Sequence, residues 1–218
     1  MACFRVDPQK AGSVIQGGLE PVRFGRKALA VVSLYEYRKT SIAAYREVGV
    51  AIACAPKGVT LPAWALFSLF GSLDKGVVGF NVIDLPVTTA AACAARREIW
   101  SYPRFVTPIG FDLRNGAFAG DVAYPDETRK ILTFSCQAGP GVRAPLLYLI
   151  FYSAHKGMML RTLVNTRGKG QFCLPGLMRL EVSDSQHPMA QRLIALGLED
   201  AKPASELQLR ANSGLVLP

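Results

Sequence analysis

The sequence predicts a mainly β fold of α+β class, with a few short helices, in one domain spanning residues 1–218. Three observations carry that expectation. Short apolar or alternating runs recur along the chain at strand length. They are separated by turn signals such as Asn115-Gly116, Pro125-Asp126, Gly139-Pro140-Gly141 and Arg167-Gly168. Half of the residues are hydrophobic and only 19% are charged, which excludes a disordered or low-complexity chain. No internal repeat and no linker rich in Ser, Pro or charge divides the chain.

Taken in order, Lys27 to Tyr37 begins as an apolar, β-branched run and ends in alternation, as a strand with one buried face does. Tyr45 to Cys54 repeats the pattern, and the short polar connection between them predicts a hairpin or adjacent strands. Pro62 to Phe70 suits a short helix opened by proline. Gly76 to Asp84 reads as extended. Thr88 or Thr89 then offers an N-cap for the alanine-rich run 90–95, and Arg96 and Arg97 suit the negative end of that helix. Further strands are expected at 104–113, 116–123, 131–137, 145–152, 158–165 and 171–182, a spacing that favours a barrel or sandwich. A last helix fits Gln186 to Leu196, with Ser185 as cap, Pro188 in the first turn and Gly197 after the end.

Composition narrows the function classes. The longest apolar stretch, Val59 to Leu73, is broken by Pro62 and Gly71 and is shorter than the roughly 20 residues that cross a bilayer, so no membrane span is expected. Charges near the N-terminus argue against an export signal, and a cytoplasmic location is the expectation. Five dispersed cysteines support neither a disulfide framework nor a zinc site, and they read as reduced thiols. The net charge of +9 is spread, with 13 Lys/Arg against 7 Asp/Glu in residues 1–110 and 12 against 9 in 111–218. That distribution fits a solvated surface rather than a nucleic-acid face, and leaves open an attraction for small anionic substrates. His155 and His187 lack metal-ligand spacing, and Gly139-x-Gly141 reads as a turn, so no metal or cofactor is called for.

Two polar clusters interrupt apolar surroundings: Tyr45-Arg46-Glu47, opening a strand, and the segment from Arg97 to Phe105 that joins a helix to the next strand. Strand alternation puts Tyr45, Glu47 and Gly49 on one face and Arg46, Val48 and Val50 on the other. A carboxylate at Glu47 lining a cavity would be an acid or base candidate. Taken alone, Glu47 is better read as the partner of a nearby arginine. Trp100 and Tyr102 read first as packing residues, with the Tyr102 hydroxyl available to a ligand.

Arg97-Glu98-Ile99-Trp100-Ser101-Tyr102-Pro103-Arg104 resembles the acetoacetate decarboxylase pattern Arg-Glu-Ile/Phe-x-x-x-Pro-Lys. The stretch from Tyr35 to Tyr45-Arg46-Glu47 is similar to that family's upstream tyrosine and Tyr-x-Glu motif, and Arg23-Phe24-Gly25-Arg26 and His187-Pro188-Met189 extend the likeness along nearly the whole chain. The resemblance implies a closed, cone-like β-barrel with flanking helices, an interior pocket for a small keto acid, and a homo-oligomer. In the decarboxylases a lysine directly after the motif proline condenses with the substrate ketone, and the resulting imine is the electron sink.

Here that position holds Arg104, followed by Phe105 where the decarboxylases carry a second lysine. A guanidinium stays protonated and forms no such imine. Lys156 and Lys169 stand in no context that depresses a lysine pKa and read as solvated. The resemblance therefore implies a lyase-type enzyme working on a small anionic oxo acid or β-dicarbonyl-like metabolite without a covalent intermediate. Arg104, Glu47 and Glu98 are its expected catalytic residues, and Tyr35, Tyr45, Trp100, Tyr102 and Phe105 its expected substrate contacts. A decarboxylase seen as an arginine variant, and a catalytically silent protein that binds an anionic metabolite, are the alternative readings.

Overall fold

The computed structural model describes residues 1–61, 76–94, 102–114, 117–126, 129–137, 141–144, 149–155, 157–164, 169–173, 179–183, 186–199 and 201–210. The chain opens with β1 (Ala2–Val6) and α1 (Pro8–Val14), then β2 (Leu19–Pro21), β3 (Arg23–Phe24), β4 (Lys27–Tyr37) and β5 (Tyr45–Pro56). Next come β6 (Gly79–Val87), β7 (Arg104–Val106), β8 (Ile109–Arg114), β9 (Ala117–Ala123), β10 (Lys130–Gln137) and β11 (Gly141–Ala144). The chain continues through β12 (Leu149–His155), β13 (Met158–Val164), β14 (Lys169–Cys173), β15 (Arg179–Val182), α2 (Pro188–Ala195) and β16 (Ser205–Arg210).

The expected hairpin is there: β4 and β5 pair antiparallel, with Ala30 opposite Ile52 and Tyr37 opposite Tyr45. Residues 90–94 are helical, and the Ala92 amide donates to Thr89 Oγ1 at 3.2 Å, so Thr89 is the cap. The helix expected from Pro62 lies outside the described residues, as do Arg96 and Arg97. The run 171–182 contains two strands, β14 and β15, that belong to different sheets. Helix α1, which the sequence pattern did not announce, is capped by Asp7, whose carboxylate accepts from the amides of Gln9 and Lys10. No described helix is long and apolar enough to cross a membrane.

The closed barrel is corrected by the sheet topology. A 12-stranded sheet runs β11-β14-β16-β1-β4-β5-β6-β12-β13, with β2, β3 and β7 attached beside it, and a separate four-stranded sheet runs β15-β10-β9-β8. Among the described residues β11 and β13 do not meet, so the large sheet stays open. What covers one of its faces is the second sheet and α2, through a shared core containing Phe4, Val32, Val50, Ile52, Leu132, Leu180, Met189 and Leu193. Layered packing buries that face without closure.

The other face of β4, β5 and β6 carries a second core of Val31, Ala51, Ala53, Phe80, Val82, Leu85 and Tyr102. A bulge fixes which β6 residues look which way. Val50 is opposite Asp84 while Ala51 is opposite Val82, so Ile83 is the extra residue. As a result Val82 and Leu85 face the same side despite their odd spacing, while Ile83 joins the first core and Asp84 reaches α2.

Gly79 locks β12 onto β6, because a Cβ there would lie 2.6 Å from the Ile150 carbonyl oxygen and 2.8 Å from Tyr152 Cε2. Gly79→Ala is expected to lower stability by about 2 kcal/mol or more, in the range of core overpacking. Gly17→Ala, which meets nothing within 4 Å, is expected to change it little, and urea denaturation of the two variants checks the contrast.

Candidate active site

Four strands converge on one polar spot of the second face. β4 and β5 place Tyr35 opposite Glu47 and Tyr37 opposite Tyr45, β6 places Val87 beside Glu47, and β7 pairs Arg104 with Leu85. Pro103 disfavours helical backbone at the residue before it, and its carbonyl accepts from the Leu85 amide at 3.1 Å, which seats Arg104 at the strand start. The arginine side chain is fully buried and that of Glu47 is 5% exposed.

Arg104 Nη2 donates to Glu47 Oε2 at 2.7 Å, and Nη1 donates to the Ala92 carbonyl oxygen at 2.6 Å. Arg104 Nε is buried with no partner among the described residues. Thus the reading of Glu47 as an arginine partner holds, and the arginine is the one that follows the motif proline. The ion pair and the helical turn at 90–94 are tied together by one guanidinium. Ala92 had no sequence signal, because a backbone carbonyl carries none.

Beside the pair stands a tyrosine ladder. Tyr37 and Tyr45 stack with ring centroids 4.5 Å apart, and Tyr35 follows 6.0 Å from Tyr37. Gly49 leaves room for this packing, since a Cβ there would sit 3.3 Å from Leu85 Cδ1 and 4.0 Å from Tyr35 Cε2. Tyr102 is buried in the second core, edge-on to Phe151. The structure therefore gathers Tyr35, Tyr45, Glu47 and Arg104 on one face, with Tyr102 two residues before Arg104.

Phe105 is not brought to that group. Strand alternation turns it to the first core, where its ring lies 5.0 Å from that of His187. Glu98 and Trp100 lie outside the described residues.

A second charged cluster, which sequence reasoning missed, sits on the opposite side of β6. Arg192 Nε donates to Asp84 Oδ2 at 2.9 Å, and Arg192 Nη2 donates to Asp84 Oδ1. Burial pushes the Asp84 carboxyl up, against the pull of Arg192. His187 caps α2, where Ser185, which lies outside the described residues, was the expected cap: the His187 Nδ1 accepts from the Met189 amide at 3.2 Å, and its own amide donates to the Tyr124 hydroxyl. Burial lowers the His187 pKa, Asp84 acts to raise it, and Arg192 acts to lower it. Among the described residues no group of three or more His, Cys, Asp and Glu is placed to hold a metal ion.

An open groove of about 440 Å³ lies elsewhere, on the four-stranded sheet, lined in part by Asp112, Asp121, Lys130, Arg179 and Glu181. Its charges are solvated or paired, as Lys130 is with Asp121 at 3.7 Å. The desolvated pair at Arg104 is the better candidate, because charge held out of water needs a reason.

The acetoacetate decarboxylase family model matches residues 1–211. The chain belongs to the acetoacetate decarboxylase family. Among solved structures it is similar to the enduracididine biosynthesis enzyme MppR complexed with pyruvate, with 14% identity, a TM-score of 0.61, and coverage of 94% of this chain and 80% of that one. It is also similar to acetoacetate decarboxylase from Legionella pneumophila, with 14% identity, a TM-score of 0.58, and coverage of 100% and 83%. An acetoacetate decarboxylase-like enzyme from Sphingomonas wittichii matches with 14% identity, a TM-score of 0.54, and coverage of 94% and 83%. At such identities the likeness establishes the shared fold. No curated protein matches by sequence.

Two outcomes follow for this family member. Glu47→Leu or Arg104→Met alone is expected to cost about 3–5 kcal/mol, since each leaves an uncompensated buried partner, while the double variant recovers most of the loss. Urea unfolding of all three checks this, and single variants within about 1 kcal/mol of the parent would show that the pair is not desolvated. For His187, a native pKa below the ordinary 6.5 means that the unfolded chain binds the proton more readily. Its contribution to stability is present above pH 6.5 and is lost as pH falls from there through the lowered native value. His187→Asn keeps a capping oxygen without the titration, so its stability relative to the parent is expected to rise over that window in pH-dependent unfolding.

Proposed function

We propose that this family member is a lyase-type enzyme acting on a small oxo acid or a β-dicarbonyl-like metabolite by acid–base and electrostatic catalysis, with Arg104 in place of the imine-forming lysine. One observation carries the reading: a buried guanidinium with a carboxylate on one corner and an Nε that no described residue accepts from. A substrate carbonyl oxygen at Nε would complete the arginine. Glu47, already on the same guanidinium, would stand beside the carbon next to that carbonyl. Proton transfer from this carbon to the Glu47 carboxylate leaves its electron pair delocalised onto the carbonyl oxygen, where Arg104 stabilises the enolate. Return of the proton completes enolisation, loss of hydroxide from the neighbouring carbon gives dehydration, and attack of the enolate carbon on a second carbonyl gives aldol addition or cyclisation. Aldol-type cleavage is the reverse of that addition, with Glu47 taking the proton of the hydroxyl while Arg104 holds the enolate released.

Small oxo acids fit because MppR has been solved with pyruvate and with the condensation product of pyruvate and imidazole 4-carboxaldehyde. Tyr35, Tyr45 and Tyr102 would contact the substrate, and Glu98 and Trp100 are further candidates from the motif. A cytoplasmic homo-oligomer is part of the same reading. The silent-binder alternative is favoured by one feature, that a carboxylate held at 2.7 Å by a guanidinium is a restrained base.

Proton NMR in deuterium oxide separates these. Wild-type protein is expected to exchange the C3 hydrogens of pyruvate or 2-oxobutanoate, and Arg104→Met or Glu47→Gln to slow the exchange by about 10²–10³-fold, the usual loss for one oxyanion donor or one acid–base group. Binding without exchange would leave the silent reading.

A further inference from the structure

Arg104 is carried by a strand with little to hold it. β7 is three residues long and, among the described residues, pairs only with β6, along one edge. That short ladder sets its register but leaves its tilt to the side chains that anchor it, one on each face. On the second face the anchor is Arg104 itself, through Glu47 and the Ala92 carbonyl. On the first face it is Phe105.

Phe105 packs on His187, with ring centroids 5.0 Å apart and planes tilted by 43°. The imidazole also meets Tyr124, edge-on at 5.3 Å, and the His187 amide donates to the Tyr124 hydroxyl. Its Nδ1 accepts from the Met189 amide at 3.2 Å, which caps α2. The ring that caps the helix is therefore the ring that Phe105 rests on. Both roles share one orientation, and that orientation needs an Nδ1 without a proton.

An imidazolium carries a proton on each nitrogen and has no acceptor. Once charged, His187 gives up the Met189 amide and its ring turns from the helix end. The groups that face it set how readily this happens. Asp84 of β6 favours the charged form, while burial and Arg192 of α2 oppose it. Tyr124 brings a hydroxyl, with the Arg129 guanidinium carbon 4.7 Å from its ring centroid. β10 and β15, which α2 covers, bring the apolar Leu132, Phe134, Leu180 and Val182, and β7 brings Phe105. A turned ring leaves Phe105 against a different surface, and so short a strand follows its anchor.

Resting on the reading of Arg104 as the group that holds the substrate, we propose that His187 is a positioning residue: in its uncharged form it seats Phe105 and so aligns the Arg104 guanidinium with Glu47. Gaining a proton, it releases that alignment. The acid limit of turnover is thus set from the face of β6 opposite the site, by a histidine that touches no substrate.

The test follows the Arg104 Nε–H signal by NMR in protein carrying isotope-labelled arginine, the signal being identified by its loss in Arg104→Lys. In the parent it is expected to hold steady above pH 6.5 and to shift as pH falls through the lowered His187 value, in step with the His187 ring protons. His187→Asn keeps a capping acceptor and does not titrate, so the shift is expected to be lost. In Phe105→Leu the His187 ring protons are expected to titrate without Arg104 following. An Arg104 signal that stays still while His187 titrates in the parent overturns the proposal. So does a shift that persists in His187→Asn, which assigns the acid transition to a carboxylate such as Asp84 or Glu47. Deuterium exchange at C3 of pyruvate, measured on the same samples, is expected to slow by up to about 100-fold over that window in the parent, the scale of a misplacement of about 1 Å. That slowing is expected to be absent in His187→Asn. No exchange in any sample removes the reading of Arg104 as the substrate site, and the Arg104 signal still decides whether His187 positions it.

Discussion

The Arg104–Glu47 pair is the constraint around which the site is built. Taking two ions out of water costs several kcal/mol each, and a bare pair rarely recovers that. Here the guanidinium gains a second acceptor in the Ala92 carbonyl, so one side chain binds β7 to β5 and to the helical turn at 90–94. Glu47 lies 57 residues from Arg104 along the chain, and Ala92 lies 12. A permanently charged group is thereby held in an apolar interior with one donor to spare.

That arrangement depends on β6. Its bulge at Ile83 lets Leu85 and Val82 face the Arg104 side while Asp84 turns to the other, where Arg192 and the His187 cap secure α2. One strand thus separates two charged clusters by the width of a sheet. The cluster at Asp84 has a ready scaffold role, since it anchors the helix that covers the first core. The cluster at Arg104 also ties elements together, and in addition it keeps a buried donor with no partner among the described residues. This asymmetry is why chemistry is assigned to one face and structure to the other.

Much of this was legible in the sequence. Alternation correctly put Tyr45 and Glu47 on one face of β5, and the threonine before the alanine run was correctly taken as a possible cap. Local pattern also gave a carboxylate that would pair with an arginine, and the motif singled out Arg104. What stayed hidden depends on pairing across long separations. Whether a row of strands closes is set by which edges meet, so the expected barrel became an open sheet covered by a second one. Phe105 follows Arg104 and was grouped with it, yet one step along a strand reverses the side chain. Asp84 carries no motif, and its setting arises only because α2 arrives at β6 from a distant part of the chain.

Membership of the acetoacetate decarboxylase family and a guanidinium at the motif position together define the chemical question: whether oxo acids are processed here without a covalent bond to the protein. Borohydride reduction in the presence of pyruvate or acetoacetate, followed by intact-protein and peptide mass measurement, answers it most directly. The account predicts an unmodified mass under conditions in which the protein turns over or exchanges its substrate. A stable adduct on Lys156, Lys169 or any other lysine would contradict it, because the imine would then have been formed away from Arg104.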